Sequence, residues 1–265
     1  MNNNNSNITN PNPNPFILTP FIVGAGVIGK SHQKGNEPCQ DAFAYKIIGN
    51  SGIIAISDGL GSAEKSDIGS KTIVIAAIDT WINGQKNYEK ENLVNSDFII
   101  EIANESRNNL IKKMNELNCD IRDLACTLII IVFYEGYVGI GHIGDGAVIG
   151  CISNQFKILS QPEPMEYTTD VWPITDDLWK EHFRIVDNFN DVSFLIGFTD
   201  GCQSSMLSKT VDGWFVSEEL AEKLLVYLKE LDELSYFQSD IVYLLTSTRM
   251  TENRDDDKTL VLALL

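Results

Sequence analysis

The sequence predicts an α+β fold: a four-layer α-β-β-α sandwich in which two antiparallel sheets face each other and are flanked by helices. Three observations lead there. Short β-branched runs recur along the chain, and neighbouring runs are joined by tight turns, which makes their pairing largely antiparallel. Between them lie long helical patterns, each with an apolar stripe that must be buried against another layer. Finally, 265 residues with 43% hydrophobic and 22% charged side chains carry enough apolar mass for a sizeable core.

In chain order, residues 1–15 are mostly Asn with Pro11, Pro13 and Pro15 alternating, a stretch with almost nothing to bury. A disordered tail is therefore expected over 1–19, ahead of one continuous domain over 20–265, in which no internal repeat is visible. Strands are expected over Phe21 to Val27, Phe43 to Ile48 and Ile53 to Ser57, the last two joined by a turn at Asn50-Ser51-Gly52. Helices follow over Asp67 to Asn83 and Ser96 to Leu117, the second with Ile99, Ile102, Ala103, Leu110, Met114 and Leu117 on one stripe. Leu128 to Tyr134 and Tyr137 to His142 form a hairpin about Glu135-Gly136, and Ala147 to Ile152 is a further strand. The segment from Gln161 to Asp191 is long, acidic and rich in Pro and Trp, and is expected to be a surface excursion near the functional site. Phe194 to Thr199 and Thr259 to Leu265 are the last strands, separated by helices over Ser217 to Leu231 and Leu234 to Ser247.

The net charge of −17, from 37 acidic and 20 basic residues, argues against nucleic acid as a partner, because such a surface is repelled by phosphate backbones. The longest apolar run, Leu128 to Phe133, is far shorter than the roughly 20 residues of a spanning helix, so no membrane partner is expected. No Lys or Arg precedes Lys30, which removes the basic region of a secretory signal and predicts a cytoplasmic location. Cys39, Cys119, Cys126, Cys151 and Cys202 are odd in number with no CxxC spacing, and are expected to be reduced and mostly buried.

Gly24-Ala25-Gly26-Val27-Ile28-Gly29-Lys30-Ser31 satisfies two phosphate-loop patterns at once. Both patterns work by aiming a helix at the phosphates, and Gly35 and Pro38 prevent any helix from continuing. The expected structure is a Gly-rich edge strand and turn; nucleotide hydrolysis dependent on Lys30 is the reading set aside. Asp255 to Thr259 contains DxDxT, but the acids precede the last strand, so an aspartyl-phosphate mechanism has no domain to follow it.

The acids form a more coherent pattern. Asp41 opens one strand and Asp58 closes the next, so an antiparallel hairpin brings both carboxylates to one end. Asp200 closes the strand from Phe194 and Asp256 precedes the strand from Thr259, so their pairing brings these acids together as well, and Asp145 in Gly144-Asp145-Gly146 can reach the same rim. Any one Asp-Gly pair is ordinarily a turn former; their joint placement at strand ends carries the weight. Carboxylates crowded at one edge repel each other unless cations bind among them, and oxygen-only ligands favour Mg²⁺ or Mn²⁺. Two such ions can activate a water for phosphoryl displacement.

At these residues the chain resembles the metal-dependent protein phosphatase 2C (PPM) family, particularly a compact bacterial branch. The matching strings are Gly29-Lys30-Ser31-His32 with Pro38-Cys39-Gln40-Asp41-Ala42-Phe43, Ser57-Asp58-Gly59-Leu60-Gly61-Ser62-Ala63, Gly144-Asp145-Gly146, Thr199-Asp200-Gly201 and Asp256-Asp257-Lys258-Thr259. They follow the family's order and span nearly all of the chain after the tail. The resemblance implies hydrolysis of phosphoserine or phosphothreonine in proteins by metal-activated water. It further implies that Asp58 and the Gly59 carbonyl are metal ligands, that Asp200 and Asp256 share one ion, that Asp145 with Asp200 serves a weaker third, and that Asp41 binds metal-coordinated waters.

The departures from the family are specific. Gln40 replaces an acid, Leu60 replaces a histidine that some members carry, and Asn36 stands where a phosphate-holding arginine is common. His32 or Lys34 could substitute for that arginine, with His32 preferred, and the proton donor to the leaving oxygen stays unassigned. The missing arginine also motivates an alternative, a catalytically silent phosphoprotein-binding regulatory module on the same fold. His142 is expected to be structural and His182 superficial, Cys202 a buried inert thiol, and Trp172 and Trp179 either a substrate edge or loop anchors.

Overall fold

The computed structural model describes residues 20–163, 171–230, 237–252 and 255–265. The expected tail over 1–19 lies outside them, as do parts of the helix expected from Leu234 and the end of the one expected to reach Leu231.

Two five-stranded antiparallel sheets carry the fold. One has the order β1 (Phe21–Val27), β12 (Lys258–Leu264), β9 (Val192–Phe198), β6 (Ala147–Ile152), β7 (Gln155–Ser160). The other runs β2 (Ala42–Ile48), β3 (Ser51–Ser57), β4 (Leu128–Tyr134), β5 (Tyr137–Ile143), β8 (Arg184–Phe189). A separate hairpin pairs β10 (Leu207–Thr210) with β11 (Gly213–Val216). The four layers follow from three apolar clusters. Ile54, Ile56, Ile129, Ile131, Leu195 and Val261 meet between the sheets. Their strand neighbours Ile53, Ala55, Leu128 and Ile130 point outward to α2 (Ser66–Gly84) and α3 (Ser96–Leu117). On the opposite face Ile196, Phe198, Leu260 and Leu262 meet Leu220, Leu224 and Leu228 of α6 (Glu218–Glu230) and Ile241 and Leu245 of α7 (Phe237–Thr246). Covering both faces of each sheet explains why the central strands read as continuous apolar runs rather than as an alternation.

The hairpin expected at Asn50-Ser51-Gly52 turns slightly earlier. Gly49 takes the positive φ of 60°, and Ser51 and Gly52 are already in β3, where a side chain at 52 would meet the Phe133 ring. Glu135 and Gly136 both have positive φ, as a two-residue primed turn requires.

The Gly-rich edge strand expected near the N-terminal end is β1, followed by one short helix, α1 (Lys30–Gly35). Asn36 stops it in the left-handed conformation, with φ 53°. The glycine pattern serves close packing: a Cβ at Gly29 would lie 2.3 Å from the carbonyl oxygen of Asp255, and Ser31 donates its backbone N–H (3.1 Å) and its hydroxyl (2.8 Å) to that same carbonyl. The loop thus docks onto the acidic run before β12.

The Gln161 to Asp191 segment is a correction in part. It contains α4 (Trp179–His182) and β8, which closes an edge of the second sheet by pairing with β5. Its burial is only intermediate and it carries Asp187 and Asn188, so apolar periodicity did not reveal it. The strand β7 was missed for the same reason, its outer residues Gln155 and Lys157 being polar and exposed, and the β10–β11 hairpin because each of its strands has only 4 residues.

Candidate active site

The acids gather at one end of the sandwich because the strand registers place them there. Ala42 pairs with Ser57, which sets Asp41 and Asp58 side by side just beyond the β2–β3 hairpin ends. Leu260 pairs with Phe198 across β12 and β9, so Asp200 and Asp256 leave that sheet at the same end. A hydrogen bond joins the two pairs: the Thr199 hydroxyl donates to Asp41 Oδ2 at 2.7 Å and accepts from the Thr259 backbone N–H at 3.0 Å. The loop carrying Asp58 is held by the start of β4. The Asp58 N–H donates to Thr127 Oγ1 at 2.9 Å, its carbonyl accepts from the Thr127 N–H at 2.8 Å, and Gly59 bridges to Cys126.

Asp58, Gly59, Asp145, Asp200 and Asp256 line one cavity of about 700 Å³, together with His32. Asp41 lies behind this lining; it is 7% exposed, and its Oδ1 is buried with no hydrogen-bond partner. Asp145 sits in a turn opened by Gly144 at φ 117°, a backbone that favours glycine. Burial pushes the Asp58 carboxyl well above its ordinary range, and the charges of Asp41, Asp200, Asp145 and Asp256 push it further. Burial likewise pushes Asp41 up to about 7, against the charge-favouring hydrogen bond from Thr199.

This is the electrostatic conflict a divalent cation relieves, and the hard oxygen donors and the orphaned Asp41 oxygen suit Mg²⁺ or Mn²⁺. Among the described residues, no three His, Cys, Asp or Glu side chains are already arranged as a closed ligand cage. The fit therefore rests on their convergence and on their mutual repulsion.

Sequence reasoning missed Asp257. This carboxylate is 2% exposed and accepts the backbone N–H groups of Gly29 and Gln40, each at 2.6 Å. It also lies 2.9 Å from His32 Nδ1. Of the consecutive acids, Asp255 and Asp256 line the cavity while Asp257 turns inward. Burial lowers the proton affinity of His32, but the carboxylates of Asp257, Asp256 and Glu37 outweigh it and hold the imidazole above its usual range. Lys34 is exposed and not part of the cavity lining, and Asn36 is occupied as the stop of α1.

The remaining residues singled out by sequence fall elsewhere. His142 is fully buried in β5 with Nδ1 2.8 Å from Ser160 Oγ, away from the cavity lining, and burial together with the Arg184 charge pushes its pKa well below the usual value. His182 is not simply superficial: it lies 3.1 Å from Glu163 and stacks on Trp172 at 3.7 Å. Trp179 is 4% exposed within the α2–α3 core, and Trp172 packs against the same cluster, so both anchor their segment. Cys126, Cys151 and Cys202 are buried free thiols; Cys39 and Cys119 are free and half-buried. No helix among the described residues is long and apolar enough to cross a membrane.

Comparison with known proteins bears on the family and the fold. The family model described as protein phosphatase 2C matches residues 28–233. Serine/threonine-protein phosphatase 3 of Escherichia coli (strain K12) is 26% identical over 251 residues, which cover 92% of this chain and 97% of that protein. Among solved structures, the serine/threonine phosphatase Stp1 from Staphylococcus aureus superposes with a TM-score of 0.65 at 14% identity, covering 94% of this chain and 96% of that one. The catalytic domain of the serine threonine protein phosphatase PstP, solved in complex with two manganese ions, gives 0.62 at 13% identity, with coverages of 92% and 97%. At such identities the structural likeness speaks for the fold, while the family match spans most of the chain. The chain belongs to the protein phosphatase 2C family.

Proposed function

We propose that this chain is a metal-dependent protein serine/threonine phosphatase. The observation that carries the reading is the convergence of Asp58, Asp145, Asp200 and Asp256 on one cavity, in a chain of this family. Asp58 and the Gly59 carbonyl would hold two Mn²⁺ or Mg²⁺ ions, Asp200 and Asp256 would complete one of them, and Asp145 would serve a weaker third. When bound, such ions supply an activated water and neutralise phosphate oxygens.

The chain's own groups do the rest. Asp41, fixed by Thr199, orients water from behind the rim. Among the described residues lining the cavity, His32 is the one basic side chain, so it is the protein's own group placed to act on the phosphorylated substrate. A phosphorylated protein or peptide is the partner of this site.

Purified chain supplied with Mn²⁺ is expected to release inorganic phosphate from phosphothreonine and phosphoserine peptides. Peptide binding with no phosphate release, at Mn²⁺ concentrations that calorimetry shows to saturate the protein, would replace this reading with the silent phosphoprotein-binding module.

A further inference from the structure

We propose that His32, held by Asp257, is the proton donor to the serine or threonine oxygen that leaves phosphorus. The inference rests on the phosphatase reading above. A serine or threonine alkoxide is a poor leaving group and requires a proton as the bond to phosphorus breaks. Leu60, which follows Asp58 and Gly59 in the cavity lining, has no proton to give, so the donor has to come from elsewhere.

The geometry supplies one. Asp257 cannot turn away from the ring, because its Oδ1 accepts from the Gly29 N–H and its Oδ2 from the Gln40 N–H. His32 Nδ1 sits 2.9 Å from Oδ2, an ion-pair contact, and makes no in-line hydrogen bond to any described residue. That contact sets one ring nitrogen against the carboxylate and leaves Nε2 as the nitrogen that exchanges protons; its neighbour there is Glu37, exposed and 3.7 Å away. A buried carboxylate behind one imidazole nitrogen orients the ring and stabilises the imidazolium, the arrangement a His acid requires. The other hydrogen-bonding side chains of the lining that are not carboxylates, Ser31, Ser62, Thr127 and Gln40, are far too weak as acids.

The step balances simply. As a water oxygen bonds to phosphorus, the bond between phosphorus and the seryl oxygen breaks and its electron pair stays on that oxygen. The oxygen takes the Nε2 proton, giving the free hydroxyl, inorganic phosphate and a neutral imidazole that regains its proton from solvent.

A general acid is distinguished from a phosphate contact by the leaving group. Nitrophenolate departs without a proton, whereas threonine does not. His32→Gln, which keeps a hydrogen-bond donor but cannot give up a proton, is expected to lower kcat on a phosphothreonine peptide about 10²-fold. On p-nitrophenyl phosphate its loss should be less than a tenth as large. Asp257→Asn should show the same substrate split, and no further loss when added to His32→Gln. In the metal-free protein, ¹⁵N spectra should show a protonated His32 Nδ1 whose signal shifts in Asp257→Asn; if that variant does not fold, the wild-type spectrum and His32→Gln decide alone. Equal losses on both substrates, or an unprotonated Nδ1, overturn the proposal. A wild-type protein inactive on both substrates with Mn²⁺ overturns the phosphatase reading beneath it.

Discussion

Asp58→Asn is expected to abolish phosphopeptide hydrolysis, by more than about 10³-fold, while making the metal-free protein more stable. The two effects have one cause. Burial and the charges of Asp41, Asp200, Asp145 and Asp256 push the Asp58 carboxyl well above its unfolded value of 3.8. A group whose folded pKa is raised contributes stability below its unfolded pKa and loses it as pH rises through the folded value. The wild-type metal-free protein therefore loses stability as pH rises toward neutrality, and the amide removes that loss. The variant should melt a few degrees higher than wild type without metal, since about 1.4 kcal/mol accompanies each tenfold change in proton affinity. That gap should widen as pH rises from about 4. Saturating Mn²⁺ should raise the melting temperature of wild type and leave the variant unmoved. Calorimetry with and without Mn²⁺ measures all three, and a variant that is less stable without metal would show that Asp58 is held by structural bonds rather than by a metal requirement.

Gly201→Ala should damage the site through the backbone. A Cβ at 201 would lie 1.9 Å from the carbonyl oxygen of Asp257, far inside contact distance, and that oxygen is main chain with no freedom to swing aside. Gly201 is thus where the Asp200 turn closes on the segment bearing Asp256 and Asp257. Inserting a methyl group should cost about 3 kcal/mol, lower the melting temperature by about 10 °C, and separate the two acids. Turnover should fall about 10²-fold or more even at temperatures where the variant is folded, because a displacement of about 1 Å at a catalytic group carries that penalty. Normal activity with normal stability would mean that this contact is not what sets the spacing of the acids.

Much of the fold was legible because its strands are apolar on both faces and its long helices carry stripes. Hairpin geometry alone placed Asp41 beside Asp58 and Asp200 beside Asp256, and the observed registers repeat that placement. Strands with a wet face were not legible: β8 has Asp187 and Asn188 within it, and most of the short β10–β11 hairpin is exposed. The role of Gly29 was also hidden. Its glycine pattern looks like a phosphate loop, and only the tertiary contact with Asp255 and Asp256 shows that it makes room for main chain. Asp257 was passed over because a residue that binds two remote backbone N–H groups leaves no local sequence mark.

Whether the carboxylate rim is a divalent metal centre is read out by anomalous X-ray scattering from crystals soaked in Mn²⁺. The account predicts two strong manganese peaks in the cavity, both within about 2–2.5 Å of Asp58 oxygen or the Gly59 carbonyl, one of them also bound by Asp200 and Asp256. A rim without manganese at millimolar concentration, or manganese bound only elsewhere on the acidic surface, would contradict it.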